Sequence, residues 1–271
     1  MRVYVAVIAA RYRMLLQYRA AAFAGFVTQL FWGAIKVMVL AAFYALAISE
    51  PPLTFGQVIA YVWLGQALLG LLPWNVDPEL QEKMLTGSVA YEMLRPLDLY
   101  AFWFARTLAF RTATTTLRSI PMVAFAALLL PMVGLDRYAL QMPPSLASGI
   151  AFLFAIVVTV SLATAITMVM HAALMWTLSG RGFNAIMSGV VTFFSGLIVP
   201  LPLFPESFQA WLARQPFRWL ADVPFRIYSG DIPPAAAVGE IGAGLVWVAL
   251  IVAGGYALLS RGKSKLVVQG G

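Results

Sequence analysis

The sequence predicts an all-α polytopic membrane protein, and two observations carry that prediction. Of the 271 residues, 62% are hydrophobic and only 11% are charged, whereas a soluble domain is nearer half apolar and a quarter charged. Several apolar runs also reach about 18 residues or more, the length of helix that crosses the hydrocarbon core of a bilayer. These runs are continuous, whereas a transmembrane β-barrel has short alternating segments. The chain should therefore cross the bilayer several times as helices.

Prolines, glycines and charged residues divide the chain into an N-terminal helix and six transmembrane helices. Residues 1–19 are predicted to form an interfacial helix, because their apolar run is short and is interrupted by Arg11 and Arg13. The apolar runs place the six spans at about 20–48, 55–72, 100–130, 146–178, 185–199 and 235–259. Between them lie a polar loop at 74–99, a tight polar turn at 179–184 and an aromatic loop at 200–234, the last typical of the headgroup zone.

The distribution of basic residues predicts the sidedness. Six spans place both termini on one side of the membrane. Ten lysines and arginines fall on the termini, the 74–99 loop and the 179–184 turn, against four on the opposite loops. Because basic loops stay inside, both termini and the 74–99 loop are predicted to be cytoplasmic.

Composition also excludes several classes of function. The formal charge of +7 fits loops that face anionic lipid better than it fits a nucleic-acid surface. With no cysteine and one histidine, the chain has no thiolate chemistry, no cysteine zinc site and no multi-histidine metal site. No catalytic constellation is visible, so we expect neither an enzyme nor a cofactor in this chain. The fragment "RGKSK" lacks the first glycine of a phosphate-binding loop, because Ala257 stands there, so no nucleotide-binding domain is predicted.

The 74–99 loop is predicted to be structured. Asp77 is a candidate N-cap, Pro78 suits the first helical position, and Gly87 suits a helix stop. Five of the eleven acidic residues fall in this loop. It is either a solvated connector or a docking surface for a cytoplasmic partner. We favour the second, because a mere connector could be shorter.

Ionisable and polar residues inside a span are candidates for function, because burying them in lipid is costly. Lys36 either snorkels to the outer leaflet or faces a transport pathway. Arg111, Thr115 and Arg118 form a polar stripe, with Arg111 near the cytoplasmic headgroups and Arg118 deeper. The stripe either pairs with backbone carbonyls and lipid phosphate or lines a pathway. His171 either packs in the core or relays protons.

The fifth predicted span carries three glycines at heptad spacing, Gly182, Gly189 and Gly196. Small residues let helices approach closely, so these glycines predict helix packing.

Two stretches resemble the type-2 ABC exporter permeases, in particular the daunorubicin-resistance-like group. They are "GSVAYEMLRPLDLY", which leads into the basic third span, and "SGLIVPLPLFPESFQAWLARQPFRWLADVPFRIYSG", which follows the fifth. The resemblance covers essentially the whole chain and implies the permease fold. It implies a subunit of the bacterial cytoplasmic membrane that exports an amphipathic drug, antibiotic or lipid-like substrate. It further implies a second permease chain, identical or related, which it places around the first and fifth spans, and two separate ATPase subunits that hold ATP and Mg.

In that family the loop between the second and third spans carries the coupling helix, which docks on the ATPase. By resemblance the docking residues would be Asp77, Glu79, Glu82, Lys83, Gly87, Glu92, Arg95 and Pro96, with a second contact at Arg181. The alternative is an ATP-independent secondary transporter or a membrane scaffold. No acidic residue falls inside a predicted span except Glu240 near an end, and this favours an external energy source over a proton gradient.

Overall fold

A computed structural model describes residues 2–177 and 180–262, and the described residues are helical with no strand. Lys263 and Lys265 of the basic tail lie outside the described residues. The α-helices are α1 (Arg2–Leu15), α2 (Arg19–Ala45), α3 (Phe55–Ala67), α4 (Pro78–Leu85), α5 (Val89–Met93), α6 (Leu99–Ala124), α7 (Leu130–Met132), α8 (Leu146–Thr177), α9 (Gly180–Phe194), α10 (Glu206–Leu212), α11 (Asp222–Tyr228) and α12 (Pro234–Gly262). A π turn joins α6 to α7, so that Leu99–Met132 is one continuous rod.

Four helices are long and apolar enough to cross a membrane. They are Arg19–Ala45, Leu99–Met132, Leu146–Trp176 and Pro234–Gly262. They coincide with the first, third, fourth and sixth predicted spans. The other two are shorter, with 13 residues in α3 and 15 in α9. At about 1.5 Å per residue each is roughly 20 Å long, less than a bilayer core, so length alone identifies four spans and not six.

The fifth predicted span lies several residues earlier than expected. Residues 180–184, predicted as a turn, are helical, and α9 ends at Phe194 rather than near Val199. Gly196 has φ +83° and lies outside the helix, so the prediction of a three-glycine helical stripe is wrong at that position. A Cβ added at Gly182 or Gly189 would meet nothing within 4 Å, so neither glycine makes a close approach to another described residue.

Two side chains and one backbone amide from distant parts of the sequence explain why α9 stops at Phe194. The last carbonyls of a helix have no partner within it and need one elsewhere. Gln215 Nε2 donates to Phe194 O at 2.8 Å, and the Asp222 amide donates to Ser195 O at 3.1 Å. Lys36 Nζ donates to Leu197 O at 3.1 Å. Lys36 is therefore bound to backbone at this break, and neither of the two predicted roles describes that contact.

The helix α1 lies along α6. Tyr12 Oη donates to Thr116 Oγ1 at 3.0 Å, and Tyr4 and Val7 pack against the apolar cluster that contains Trp103 at the start of α6. Its placement in the membrane interface stays a prediction.

The aromatic loop folds back onto the helices and brings a carboxylate with it. Asp222 is 1% exposed. It accepts a hydrogen bond from Tyr61 Oη of α3 at 3.2 Å and forms an ion pair with Arg226 at 3.3 Å. This buried acid lies in a loop, outside the predicted spans in which buried charge was expected. Arg218, from the same loop, pairs with Glu240 of α12 at 3.0 Å.

A glycine allows α12 to pack closely on α8. A Cβ on Gly244 would lie 2.7 Å from Trp219 Cδ1 and 2.7 Å from Val158 Cγ1, closer than carbon atoms pack. Gly242 stands on the same helix with nothing within 4 Å of an added Cβ.

We expect Gly244→Ala to destabilise the fold by about 1–3 kcal/mol through overpacking. Gly242→Ala should stabilise it by up to about 1 kcal/mol, because alanine favours a helix more than glycine does. Unfolding of the two purified variants in detergent compares them. Equal shifts in the same direction would contradict the close packing at Gly244.

Candidate functional site

The 74–99 loop is built from two short helices, and the first begins and ends as the sequence predicts. Asp77 Oδ1 accepts a hydrogen bond from the Glu79 amide at 3.0 Å, and Pro78 is the first residue of α4. Gly87 follows the end of α4 with φ +72°, a left-handed conformation that favours glycine. Glu79 and Lys83 form the i,i+4 ion pair at 3.0 Å.

Two of the five acidic residues of the loop, Asp77 and Glu92, are buried against the protein. Asp77 is 1% exposed and pairs with Arg11 of α1 at 3.1 Å, and Arg11 also pairs with Glu79. Arg11, one of the two arginines that interrupt the apolar run of α1, therefore points at the loop. This pair fastens the start of α4 to α1.

Glu92 makes further ion pairs, which join those of Asp77 and Glu79 into one cluster of charges. Its carboxylate accepts from Trp103 Nε1 at 2.7 Å and pairs with Lys83 at 2.7 Å and with Arg106 at 3.3 Å. Arg106 also pairs with Glu79 at 2.7 Å. Three cations, Arg11, Lys83 and Arg106, thus balance three carboxylates, Asp77, Glu79 and Glu92. We call these six residues the charge cluster.

The cations of the charge cluster lower the pKa of the Glu79 carboxyl. Partial burial alone would raise this pKa, but hydrogen bonds from Arg106 and Lys83 and the charges of Arg106 and Arg11 outweigh it. Together these hydrogen bonds and charges lower the pKa of Glu79 to about 2. The carboxylate is therefore ionised at any cellular pH, and its ion pairs persist.

Arg111 binds the chain that leads into the loop. Its guanidinium donates to Leu72 O at 2.6 Å, to Asn75 O, and to Thr167 Oγ1 of α8 at 3.0 Å. Thr115, buried beside it, donates to Arg111 O at 2.7 Å. The polar stripe was predicted either to pair with backbone carbonyls and lipid phosphate or to line a pathway. The contacts of Arg111 and Thr115 are pairings with backbone carbonyls. Arg118 is different, because it has no hydrogen-bond or ion-pair partner in the part of the chain that the structure describes.

His171 joins the loop to α8. It is fully buried, and its Nε2 accepts from the Asp77 amide at 3.0 Å. The ring also lies edge-on to Trp103, with the centroids 6.4 Å apart. Because Nε2 accepts, the proton of the neutral ring stands on Nδ1, which has no partner among the described residues. A single backbone contact is what a packing histidine makes, whereas a relay needs a partner on both nitrogens.

The outer face of α5 is apolar and exposed. Tyr91 is 76% exposed and Leu94 82%, with Met93 between them also exposed. Arg95 and Pro96 continue the same exposed stretch. We call Tyr91, Met93, Leu94, Arg95 and Pro96 the α5 surface.

A family model described as ABC-2 family transporter protein matches residues 52–270. The chain belongs to the ABC-2 family of transporter proteins. The match begins just before α3 and includes all the helices from α3 to α12. Searches of curated proteins and of solved structures found no match. This family comprises membrane-embedded transport subunits of ABC systems, so the protein is a multi-pass transport subunit and not an enzyme, and membership implies an ABC ATPase partner in general.

Within this ABC-2 transporter protein, the predicted docking residues of the loop separate into three groups. Asp77 and Glu92 are buried in the charge cluster, so placing them on a docking surface needs correction. Glu79 and Lys83 are partly exposed and already paired within the chain. Glu82, Arg95 and Pro96 are exposed and Gly87 partly so. Arg181 lies in the first turn of α9, and its side chain is outside the described structure.

Sequence reasoning missed two parts of the site. Arg11, Trp103 and Arg106 were not predicted as partners of the loop acids, and nothing local to each residue indicates that pairing. The α5 surface was also missed, although large apolar residues in a loop predicted to be cytoplasmic were a usable signal.

Proposed function

We propose that this chain is the transmembrane permease subunit of an ATP-driven ABC exporter, coupled through the 74–99 loop to a separate ATPase. The observation that carries the proposal is an exposed apolar surface on a short helix whose inner face is bound through Glu92 to α4 and α6. A solvated connector needs neither feature. The resemblance to the daunorubicin-resistance-like group adds the substrate class, an amphipathic drug, antibiotic or lipid-like molecule.

The contacts suggest how a load on α5 reaches the membrane helices. Glu92, on the inner face of α5, binds Trp103 and Arg106 of α6. Asp77, at the start of α4, binds Arg11 of α1 and His171 of α8. A displacement of the α5 surface by the ATPase would therefore move α1, α6 and α8 together.

We also propose six crossings with both termini cytoplasmic, in a bacterial cytoplasmic membrane. Support comes from α3, which is short but reaches from one loop layer to the other. At its first residue, the Phe55 ring packs edge-on against the Tyr138 ring, with the centroids 6.1 Å apart, in the loop between α7 and α8. Past the other end, Leu72 O accepts from Arg111 beside the 74–99 loop. A helix that joins the two layers crosses the same slab as its long neighbours, and its 3-10 extension Leu69–Leu71 adds length.

The complete exporter would hold two permease chains, identical or related, surrounded by lipid, and two ATPases that bind ATP and Mg. Gly182 and Gly189 support a role for α9 in the contact between permeases, because both open onto free space. Arg181, at the start of α9, would make the second and smaller contact with the ATPase.

The α5 surface offers a direct test. We would place a photo-crosslinking amino acid at Leu94 in native membranes and identify the captured protein by mass spectrometry. The matched control is Met142, equally exposed but in the loop at the other end of the helices. Capture of a phosphate-loop ATPase at Leu94 and not at Met142 is the expected result. Efficient labelling at both sites with no ATPase at Leu94 or Tyr91 would overturn the proposal and favour a secondary transporter or scaffold.

A further inference from the structure

We propose that a cavity between α2, α6 and the segment after α3 binds the anionic head group, phosphate or carboxylate, of an amphiphilic molecule. The cavity has a volume of about 260 Å³. Its polar lining is Gln29 of α2, Trp74 and Asn75 of the loop, and Arg111, Thr114 and Arg118 of α6. The cavity is separate from the charge cluster and from the α5 surface.

Five buried polar atoms at this cavity have no hydrogen-bond partner among the described residues. Gln29 is 4% exposed, yet neither its Nε2 nor its Oε1 has a hydrogen bond within residues 2–177 and 180–262. Trp74 Nε1, Arg111 Nε and Arg118 Nε are also buried and have no partner in this part of the chain. Buried polar atoms in native proteins are nearly always bonded, so each of these needs an explanation. Four of the five atoms are N–H donors, and a ligand rich in acceptor oxygens would satisfy them together.

The charge at the cavity favours an anion over water. The remaining nitrogens of Arg111 are bonded to neutral carbonyls and a hydroxyl. Arg118 has no carboxylate or other acceptor among the described residues, and no acidic residue lines the cavity. The charge of Asp77 acts on Arg111, but its carboxylate is bonded to Arg11 and does not line the cavity. Water can satisfy hydrogen bonds, but an anion also compensates an arginine charge held against a membrane helix.

The seat of Arg118 is shaped by a glycine. A Cβ added at Gly25 of α2 would lie 2.6 Å from Arg118 Cζ, so the guanidinium rests directly on the backbone of α2. On the other wall, a Cβ added at Gly70 would lie 2.6 Å from Thr115 Oγ1. A larger residue at either position would displace the side chain that now packs against it, which is Arg118 at Gly25 and Thr115 at Gly70.

The rest of the lining is apolar and fits the body of an amphiphile. Leu69, Leu72 and Phe110 face the same cavity as the four donors. A guanidinium fork matches the two oxygens of a carboxylate or phosphate, and the apolar wall matches an alkyl chain. Such a group could belong to a bilayer lipid or to a free acidic amphiphile.

The first experiment measures binding to the purified full-length chain in a neutral maltoside detergent, with no ATPase present. The probe is dodecyl phosphate. We expect saturable binding of one molecule per chain, weakened about tenfold or more by Arg118→Gln and by Gln29→Leu, since charge-assisted hydrogen bonds are the strong ones. Gly25→Ala should also weaken it by displacing the guanidinium. The matched control is Arg13→Gln, an exposed arginine of α1, which should bind as the parent does.

A second measurement separates the two sources of the anion. Mass spectrometry identifies the lipids that remain on the chain through purification. An anionic phospholipid kept by the parent and lost from Arg118→Gln assigns the site to bilayer lipid. Dodecyl phosphate binding without such retention assigns it to a free amphiphile. Absence of saturable binding, or binding unchanged in Arg118→Gln and in Gln29→Leu with unfolding midpoints preserved, overturns the proposal. Because no ATPase takes part, this failure is distinct from failure of docking at Leu94.

Discussion

Replacing Glu92 by alanine is expected to destabilise the folded chain by about 3 kcal/mol or more, the usual cost of removing one partner from a buried ion pair. The Glu92 side chain is 4% exposed and holds both Lys83 and Arg106. Its removal would leave the Arg106 guanidinium with one carboxylate and the buried Trp103 Nε1 with no acceptor. Reversible unfolding of the purified chain in detergent measures the change.

Glu82→Ala is the matched control for this experiment. Glu82 is a carboxylate of the same loop, on α4, but its side chain is exposed. A surface substitution of this kind changes stability by about 0.5 kcal/mol or less. Similar losses in the two variants would show that the charge cluster does not hold the loop.

The long helices could be predicted from sequence because their signal is local. An apolar run of sufficient length reports its own burial in lipid, and the four long helices fall where the runs do. The caps of α4 are equally local, since Asp77, Pro78 and Gly87 act on amides and angles a few residues away. Neither prediction needs knowledge of which helix lies next to which.

The end of α9 could not be predicted for the opposite reason. Gln215, Asp222 and Lys36 bind the carbonyls where the chain leaves the helix, and they come from elsewhere in the sequence. The glycine spacing suggested one helix through Gly196, whereas those contacts favour a break after Phe194.

The roles of the loop acids were misassigned on a reasonable assumption. A carboxylate in an aqueous loop is expected to be exposed, and most are. Asp77 and Glu92 are buried because Arg11 and Arg106 approach them from α1 and α6. The α5 surface was overlooked because a five-residue helix is too short to display a periodic apolar face.

Replacing Tyr91 and Leu94 together by serine is expected to weaken ATPase binding about a hundredfold or more while leaving the fold intact. Central apolar anchors of an interface commonly contribute about 2 kcal/mol each, and 1.4 kcal/mol is tenfold in affinity. Both side chains are largely exposed in this chain, so their truncation opens no cavity. Affinity for the purified ATPase and the unfolding midpoint are measured on the same preparation.

The matched control replaces Met142 and Leu146 by serine, two residues equally exposed at the other end of the helices. Their loss should change neither measurement, and equal binding by both double variants would exclude the α5 surface as the docking site. Tyr91 in α5 and Leu94 directly after it are exposed, whereas Glu92 between them is buried. Glu92→Ala should therefore lower stability and docking together, whereas the serine variant should lower docking alone. That difference separates the surface that receives the ATPase from the contacts that hold it against the membrane helices.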